Sequence, residues 1–360
     1  PRIPELAIAV SADEKPAYYT RGIWYGFGAW DYAKEPHRLW CLRNRCQRGF
    51  NLTTGHAYEG IISANQAAFD AHPEYYGLAK GKRKSSKICI SNTDLRQMVC
   101  DYAVRHFDKN PGLDSISIEP SDGGGWCECE ACAALGSISD RALTLANEVA
   151  AAISQKDKNR YVGMYAYASH SPPPSVRAHP NVIISVATSF IRGGFTLDQL
   201  CAGWSQQGAL LGIREYYSVN TWDRDLPGRA RGSKPNYMKQ TIPRFHAMGA
   251  RFLTAEASDN WGPNGPGYYA ASRIMWDTNE AARLDVLLDD FLARSFGPAA
   301  KTMEEFYTFL DGSKRIVLIE DTLANMYALL DTARKQTADA GIQARLNDLL
   351  LYTRYVELFY

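Results

Sequence analysis

Apolar and small residues alternate in short runs through residues 15–260, and stretches of helical period separate most of these runs. Eight runs read as strands: "YYTRGIWYG" (18–26), "GFNLTTG" (49–55), "SKICIS" (86–91), "SISIE" (115–119), "YVGMYAY" (161–167), "NVIISVAT" (181–188), "LLGIREYY" (210–217) and "RFLTAE" (251–256). Helical patterns cover 92–108, 139–155 and 235–249 between them. Strand alternating with helix implies parallel strands, and eight units predict an α/β chain folded as a (β/α)₈ TIM barrel. Segment 279–296 is helical and stops at Gly297-Pro298. Further helices are expected at 299–312, 319–336 and 341–360. The predicted organisation is a barrel over 1–298 and a helical C-terminal appendage over 299–360. The chain opens without Met and stops inside an apolar helical pattern, so both ends read as cuts from a longer protein.

Composition narrows the class. Of 360 residues, 46% are hydrophobic and 22% charged, and the net charge is +1, so no global field draws the chain to nucleic acid or to a membrane surface. No run reaches the roughly 18 apolar residues of a spanning helix. The 21 Tyr and 8 Trp stand out, because a plain core is built more economically from Leu and Phe. Rings at loop positions suit a cleft in which apolar sugar faces stack on aromatic planes.

Strand patterning then locates acidic groups. In 115–119, Ser115, Ser117 and Glu119 share one face and Ile116 and Ile118 the other. Packing the Ile pair on surrounding helices turns the polar face inward and delivers Glu119 to the strand's C-terminal end, where barrel enzymes keep their chemistry. Leu211, Ile213 and Glu215 share a face in the seventh strand, and Phe252, Thr254 and Glu256 in the eighth. Asp122 follows Glu119 on a glycine-rich loop. The alternative for any one Glu is a salt bridge to a neighbouring Arg such as Arg214 or Arg251, which the coincidence of three strands disfavours; carboxylates from several strands at one rim suit acid–base work on a glycosidic bond.

"SDGGGWCECEAC" (121–132) raises two other chemistries. It lacks the Lys-Ser/Thr of a phosphate loop, so its glycines serve a sharp turn. Cys127, Cys129 and Cys132, with Cys89 as a fourth, fit a structural metal site weakly, and also fit packing thiols or a disulfide. No cofactor is otherwise indicated.

Together "HPEYY…GKR…ICIS", "SISIEPSDGGGWCECEAC", "MYAYASHSPPP" and "AEASDNWGPNGPGYYAASRIMWD" resemble a large bacterial family, long catalogued as a domain of unknown function, that includes the endo-β-N-acetylglucosaminidases of glycoside hydrolase family 163. The resemblance covers most of residues 15–300. It implies a barrel enzyme that hydrolyses β-linked N-acetylglucosamine in N-glycans with retention, using the substrate's acetamido oxygen as nucleophile. Such an enzyme is expected in the periplasm, at the cell surface or secreted. In many acetamido-assisted enzymes the two acidic residues are adjacent; here they are separated, Glu119-Pro-Ser-Asp122.

On this reading Glu119 is the general acid/base, and Asp122 or Glu256 orients the acetamido group. A variant uses Glu119 as acid and Glu215 as a protein nucleophile. Tyr165, Tyr167, Tyr217, Trp222 and Trp261 line sugar subsites, with His56 and Asn260 as hydrogen-bonding partners. A glycan or oligosaccharide is the expected partner, bound by the same aromatic platforms if the barrel only binds and does not cut.

Overall fold

The computed structural model describes residues 13–26, 28–46, 49–313 and 319–360. Residues 1–12, counted with the barrel in the sequence reading, lie outside the described residues. Among the described residues eight strands form: β1 Thr20–Tyr25, β2 Tyr76–Ala79, β3 Lys82–Ile88, β4 Ser115–Ser117, β5 Tyr161–Ala166, β6 Val182–Ala187, β7 Leu210–Tyr216 and β8 Phe252–Ala257. Six of them make one parallel sheet in the order β1-β8-β7-β6-β5-β4, curled as a half-barrel, whereas β2 and β3 pair antiparallel in a separate hairpin.

The expected eight-strand closed barrel is therefore reached only in part. The run 86–91 contributes its first residues to the hairpin. The run 49–55 is not a strand, although it lies between the two edge strands and touches both. The Phe50 amide donates to the Tyr19 carbonyl at 3.1 Å. On the other side the Thr53 amide donates to Ser115 Oγ at 2.6 Å, and Ser117 Oγ donates to the Gly55 carbonyl at 2.6 Å. Small hydroxyl side chains thus replace the backbone ladder. The same segment presses onto β5 so closely that a Cβ at Gly163 would come within 2.2 Å of the Thr53 carbonyl oxygen, which only glycine permits.

Alternation sorts the sheet into two faces. Val162, Met164, Val182, Ile184, Val186, Leu211, Ile213, Leu253 and Ala255 join helix residues such as Leu143, Val149 and Met238 in the main core. The opposite face is layered. Ile183 and Phe252 pack with Leu52, Phe50 and Tyr161 at its N-terminal end. Gly22, Gly163, Ser185, Gly212 and Thr254 follow, and aromatic and charged residues occupy the C-terminal end.

A second core runs from Leu292 to Val356 among the C-terminal helices Leu284–Phe296, Ala300–Thr308, Glu320–Lys335 and Ala340–Glu357. It docks through Tyr352, whose hydroxyl donates to the Asp225 carbonyl at 2.7 Å. No helix among the described residues is long and apolar enough to cross a membrane.

Caps place the helices. Helix Ile138–Lys156 opens on a capping box in which Ser137 and Asp140 satisfy each other's amides. The buried Asp140 carboxylate also accepts from the Ser175 amide at 2.6 Å and the Val176 amide at 3.2 Å, tying down the loop after β5. Burial pushes this carboxyl up, but hydrogen bonds from Ser137 and Ser175 outweigh burial and hold it below its ordinary value. Asp140→Ala is expected to cost about 2–4 kcal/mol in urea unfolding at neutral pH. A group with a lowered folded-state pKa stabilises fully above its unfolded value, about 3.9, and loses that contribution as pH falls through the folded value. The gap between wild type and variant is therefore expected to close in acid.

Candidate active site at the C-terminal end of the sheet

The loop after β4 is built from below. Glu119 continues the polar face of β4, and its backbone meets His56 in a parallel bridge. Its side chain is fully buried: His170 Nε2 donates to Oε1 at 2.8 Å and the Tyr165 amide donates to Oε2 at 2.7 Å. Lys87, itself buried, donates to the carbonyls of Ser121 and Asp122 and lies 5.4 Å from the Trp126 ring centre. Burial lowers the Lys87 pKa, and the nearby carboxylates Glu119 and Asp122 oppose that shift. A buried cation and a buried anion thus hold the turn that carries Asp122.

Asp122 is the exposed carboxylate of the site, with 67% of its side chain accessible. Tyr167 donates its hydroxyl to Asp122 Oδ1 at 3.2 Å, and the Gly123 amide donates to the same oxygen at 2.7 Å. Burial, and then the Asp122 charge, push the Tyr167 hydroxyl up to about 12, so it is a proton donor at neutral pH. His56 Nδ1 donates to the Pro120 carbonyl at 2.7 Å, which directs Nε2 toward Asp122 Oδ1, 4.0 Å away. A carbonyl only accepts, so Nδ1 carries a proton.

Beside this group stands a wall of rings. Phe190 lies 5.2 Å from Tyr167, 6.1 Å from Tyr216 and 5.5 Å from Trp222 between ring centres. Phe190 is 43% and Trp222 46% exposed, so large apolar faces are open to a ligand. Glu256 forms an ion pair with Arg214 at 2.5 Å. The Arg214 guanidinium stacks 4.6 Å from Trp24 and 4.5 Å from Tyr216. Glu256 packs so near Gly26 that a Cβ there would meet its carboxylate at 2.3 Å.

The arrangement joins some of the sequence-predicted residues and separates others. Asp122, Glu256, His56, Tyr165, Tyr167 and Trp222 fall at this end, on or beside the face turned away from the helices. Glu119 backs the site and has no exposed atom to offer a substrate, which corrects its assignment as the group that touches the sugar. Glu215 is also corrected. It shares its face with Leu211 and Ile213, so it points toward the helices, fully buried, and accepts from Tyr237 at 2.6 Å and from Arg231 at 3.3 Å. Tyr217, on the same side, is buried 6.2 Å from Tyr268. Trp261 stacks on Tyr25 at 5.3 Å and meets Trp40 and Tyr268, so it builds an internal ring cluster. Asn260 gives its amide to buried Asp225 at 2.9 Å.

Trp24, Phe190, Tyr216 and His170 are absent from the sequence reading, and Arg214 enters it only as a salt-bridge partner for a strand glutamate. Arg214 and Tyr216 carried a signal: the rule that turns Ile116 and Ile118 outward also turns Leu211 and Ile213 outward, leaving Arg214 and Tyr216 on the open face. The hollow of about 550 Å³ between Tyr19, Phe50, Tyr161 and Phe252 is at the opposite, N-terminal end, and no carboxylate lines it among the described residues. Cys89, Cys127, Cys129 and Cys132 gather behind the Asp122 loop, their sulfurs all within 4.8 Å of one another.

A curled parallel sheet with acidic and aromatic residues at its C-terminal end is an arrangement found in glycoside hydrolase barrels. The chain is similar in fold to the Thermobaculum terrenum O-GlcNAc hydrolase, with 12% identity, a TM-score of 0.51, and coverage of 95% of this chain and 83% of that one. It is also similar to the GH115 4-O-methyl-α-glucuronidase BtGH115A, described as specific for decorated arabinogalactans. There the identity is 12%, the TM-score 0.60, and coverage 94% of this chain and 54% of that one. No curated protein matches the sequence. The chain belongs to the DUF4838 family, a domain of unknown function whose match spans residues 1–308.

Proposed function

We propose that the chain is a retaining glycoside hydrolase that cleaves β-linked N-acetylglucosamine within glycans, assisted by the substrate's own acetamido group. The observation that carries this reading is one exposed carboxylate, Asp122, hydrogen-bonded to Tyr167 and flanked by the open rings of Phe190 and Trp222. The rings stack on pyranose faces and hold the glycosidic oxygen near Asp122. Asp122 donates a proton to that oxygen as the acetamido oxygen attacks the anomeric carbon and the glycosidic bond breaks. The resulting oxazolinium is opened by water, which gives a proton back to Asp122. Glu256, anchored by Arg214, accepts the acetamido N–H and stabilises the positive charge that develops there. The resemblance to family 163 enzymes and the O-GlcNAc hydrolase activity of a structural relative support N-acetylglucosamine as the sugar; retention with acetamido assistance follows from that resemblance.

Aryl β-N-acetylglucosaminides and complex N-glycans are the substrates to screen, with an N-acetylglucosamine-derived thiazoline as inhibitor. Turnover blocked by the thiazoline is expected. Turnover that the thiazoline leaves untouched rules out acetamido assistance, and glycan binding without turnover rules out the hydrolase.

A further inference from the structure

We infer that Cys89, Cys127, Cys129 and Cys132 bind one structural zinc ion, which fastens the Asp122 loop to the β2–β3 hairpin. The thiols come from two places in the chain: Cys89 directly follows β3, and the other three sit in the C-x-C-x-x-C run beyond the glycine turn. Their sulfurs are 3.4 Å apart for Cys127–Cys129, 3.7 Å for Cys89–Cys127, 3.8 Å for Cys89–Cys129 and 3.9 Å for Cys89–Cys132. Zinc–thiolate bonds of about 2.3 Å in a tetrahedron put sulfurs about 3.8 Å apart, so the spacing suits one ion. It is far longer than the roughly 2.05 Å of a disulfide. It is also too tight for an iron–sulfur cluster, whose inorganic core holds its thiolates further apart.

The surroundings are those of thiolates. The Leu78 amide donates to Cys127 Sγ at 3.3 Å, the Ser91 amide to Cys132 Sγ at 3.3 Å and the Cys132 amide to Cys129 Sγ at 3.4 Å. Three amides from separate segments point at sulfur, as the outer shell of a metal–thiolate centre requires. Arg83, held by the Glu74 and Tyr76 carbonyls at 2.9 Å, brings positive charge near a set that keeps a net negative charge after binding a divalent ion. Four sulfur ligands leave no open coordination position, so the ion is structural and does not activate water.

The ion complements a thin set of contacts. The hairpin and the loop are otherwise joined by the Glu128 amide on the Leu78 carbonyl at 2.7 Å and the Lys80 amide on Glu128 Oε2 at 2.8 Å. Lys87 holds the Ser121 and Asp122 carbonyls from the other side. The inference stands whether or not the chain hydrolyses glycans.

Metal analysis of the whole protein, purified under reducing conditions without a metal-affinity step, is expected to find one zinc per chain. Cobalt substituted for zinc is expected to give the intense visible bands of a tetrahedral tetrathiolate. Cys132→Ser and Cys89→Ser are expected to lose the bound metal and to make the 120–132 loop the first site of proteolysis. Cys100→Ser and Cys201→Ser, at buried thiols elsewhere, are expected to keep the full complement. The assignment is overturned if wild-type protein folds with no metal, carries iron in place of zinc, or shows these four cysteines paired as disulfides by mass spectrometry. The wild-type metal content and the cobalt spectrum decide the matter even if the cysteine variants fail to fold.

Discussion

Asp122→Asn is expected to lower kcat on an aryl β-N-acetylglucosaminide by about 10²–10⁴-fold, the usual worth of a positioned acid–base group. The side chain is mostly exposed, and Asn keeps an oxygen to accept from Tyr167 and the Gly123 amide. Stability is therefore expected to stay within about 0.5 kcal/mol of wild type. Loss of turnover in a protein that melts normally is the signature of lost chemistry. A wild type that is active beside an Asp122→Asn variant of equal rate removes Asp122 from the mechanism.

Glu119→Ala is expected to do the reverse in proportion. Deleting this carboxylate leaves the His170 Nε2 proton and the Tyr165 amide without their partner and takes a counter-charge from buried Lys87. Breaking a buried pair by removing one partner costs about 3–5 kcal/mol, to be read by denaturant unfolding. Activity falls as well, because Tyr165 and the Asp122 turn lose their backing, and Glu119→Gln is expected to recover part of the stability by keeping an acceptor for one donor. A Glu119→Ala protein of unchanged stability and abolished turnover reverses the assignment and returns the proton-transfer role to Glu119.

The two carboxylates lie three residues apart, and their sequence neighbourhood did not tell them apart. Alternation correctly put Glu119 on the face with Ser115 and Ser117. It carried no information that His170, from the turn after β5, closes over that carboxylate. Exposure depends on what distant segments deposit on a residue, and periodicity reports only the strand's own faces. Glu215 failed for a different reason. Its apolar neighbours Leu211 and Ile213 are core residues packed on helices, so the acid travelled with them to the helix side and found Tyr237 and Arg231. The cysteines show the opposite case: their spacing fitted a metal site only weakly beside packing thiols or a disulfide, and the fold brings Cys89 together with the other three, their sulfurs within 4.8 Å of one another.

Helix Trp261–Trp276 shows how packing overrides local preference. Its first seven residues contain three glycines and two prolines, a composition that argues against helix. The glycines are required by close neighbours: a Cβ at Gly267 would meet the Gly232 carbonyl at 1.9 Å, and one at Gly265 the Phe291 ring at 2.9 Å. The run 49–55 shows the converse, a β-rich sequence drawn out of the ladder because Ser115, Ser117 and Thr20 offer hydroxyl partners in place of backbone ones.

The sequence by itself determined the alternation of strands and helices, the parallel sense of the main sheet, the end at which polar groups collect, and the short acidic and cysteine-rich turn after β4. These are local matters, settled by period, capping and turn chemistry within a few residues. Tertiary structure alone decided that six strands rather than eight join the sheet, that Asp122 is open while Glu119 is closed, that Arg214 and Phe190 belong to the site, and that Cys89 meets the C-x-C-x-x-C turn. Each of those outcomes is a contact between segments far apart in the chain, where burial and hydrogen bonding are set by the partner that arrives and the residue's own neighbours have no say.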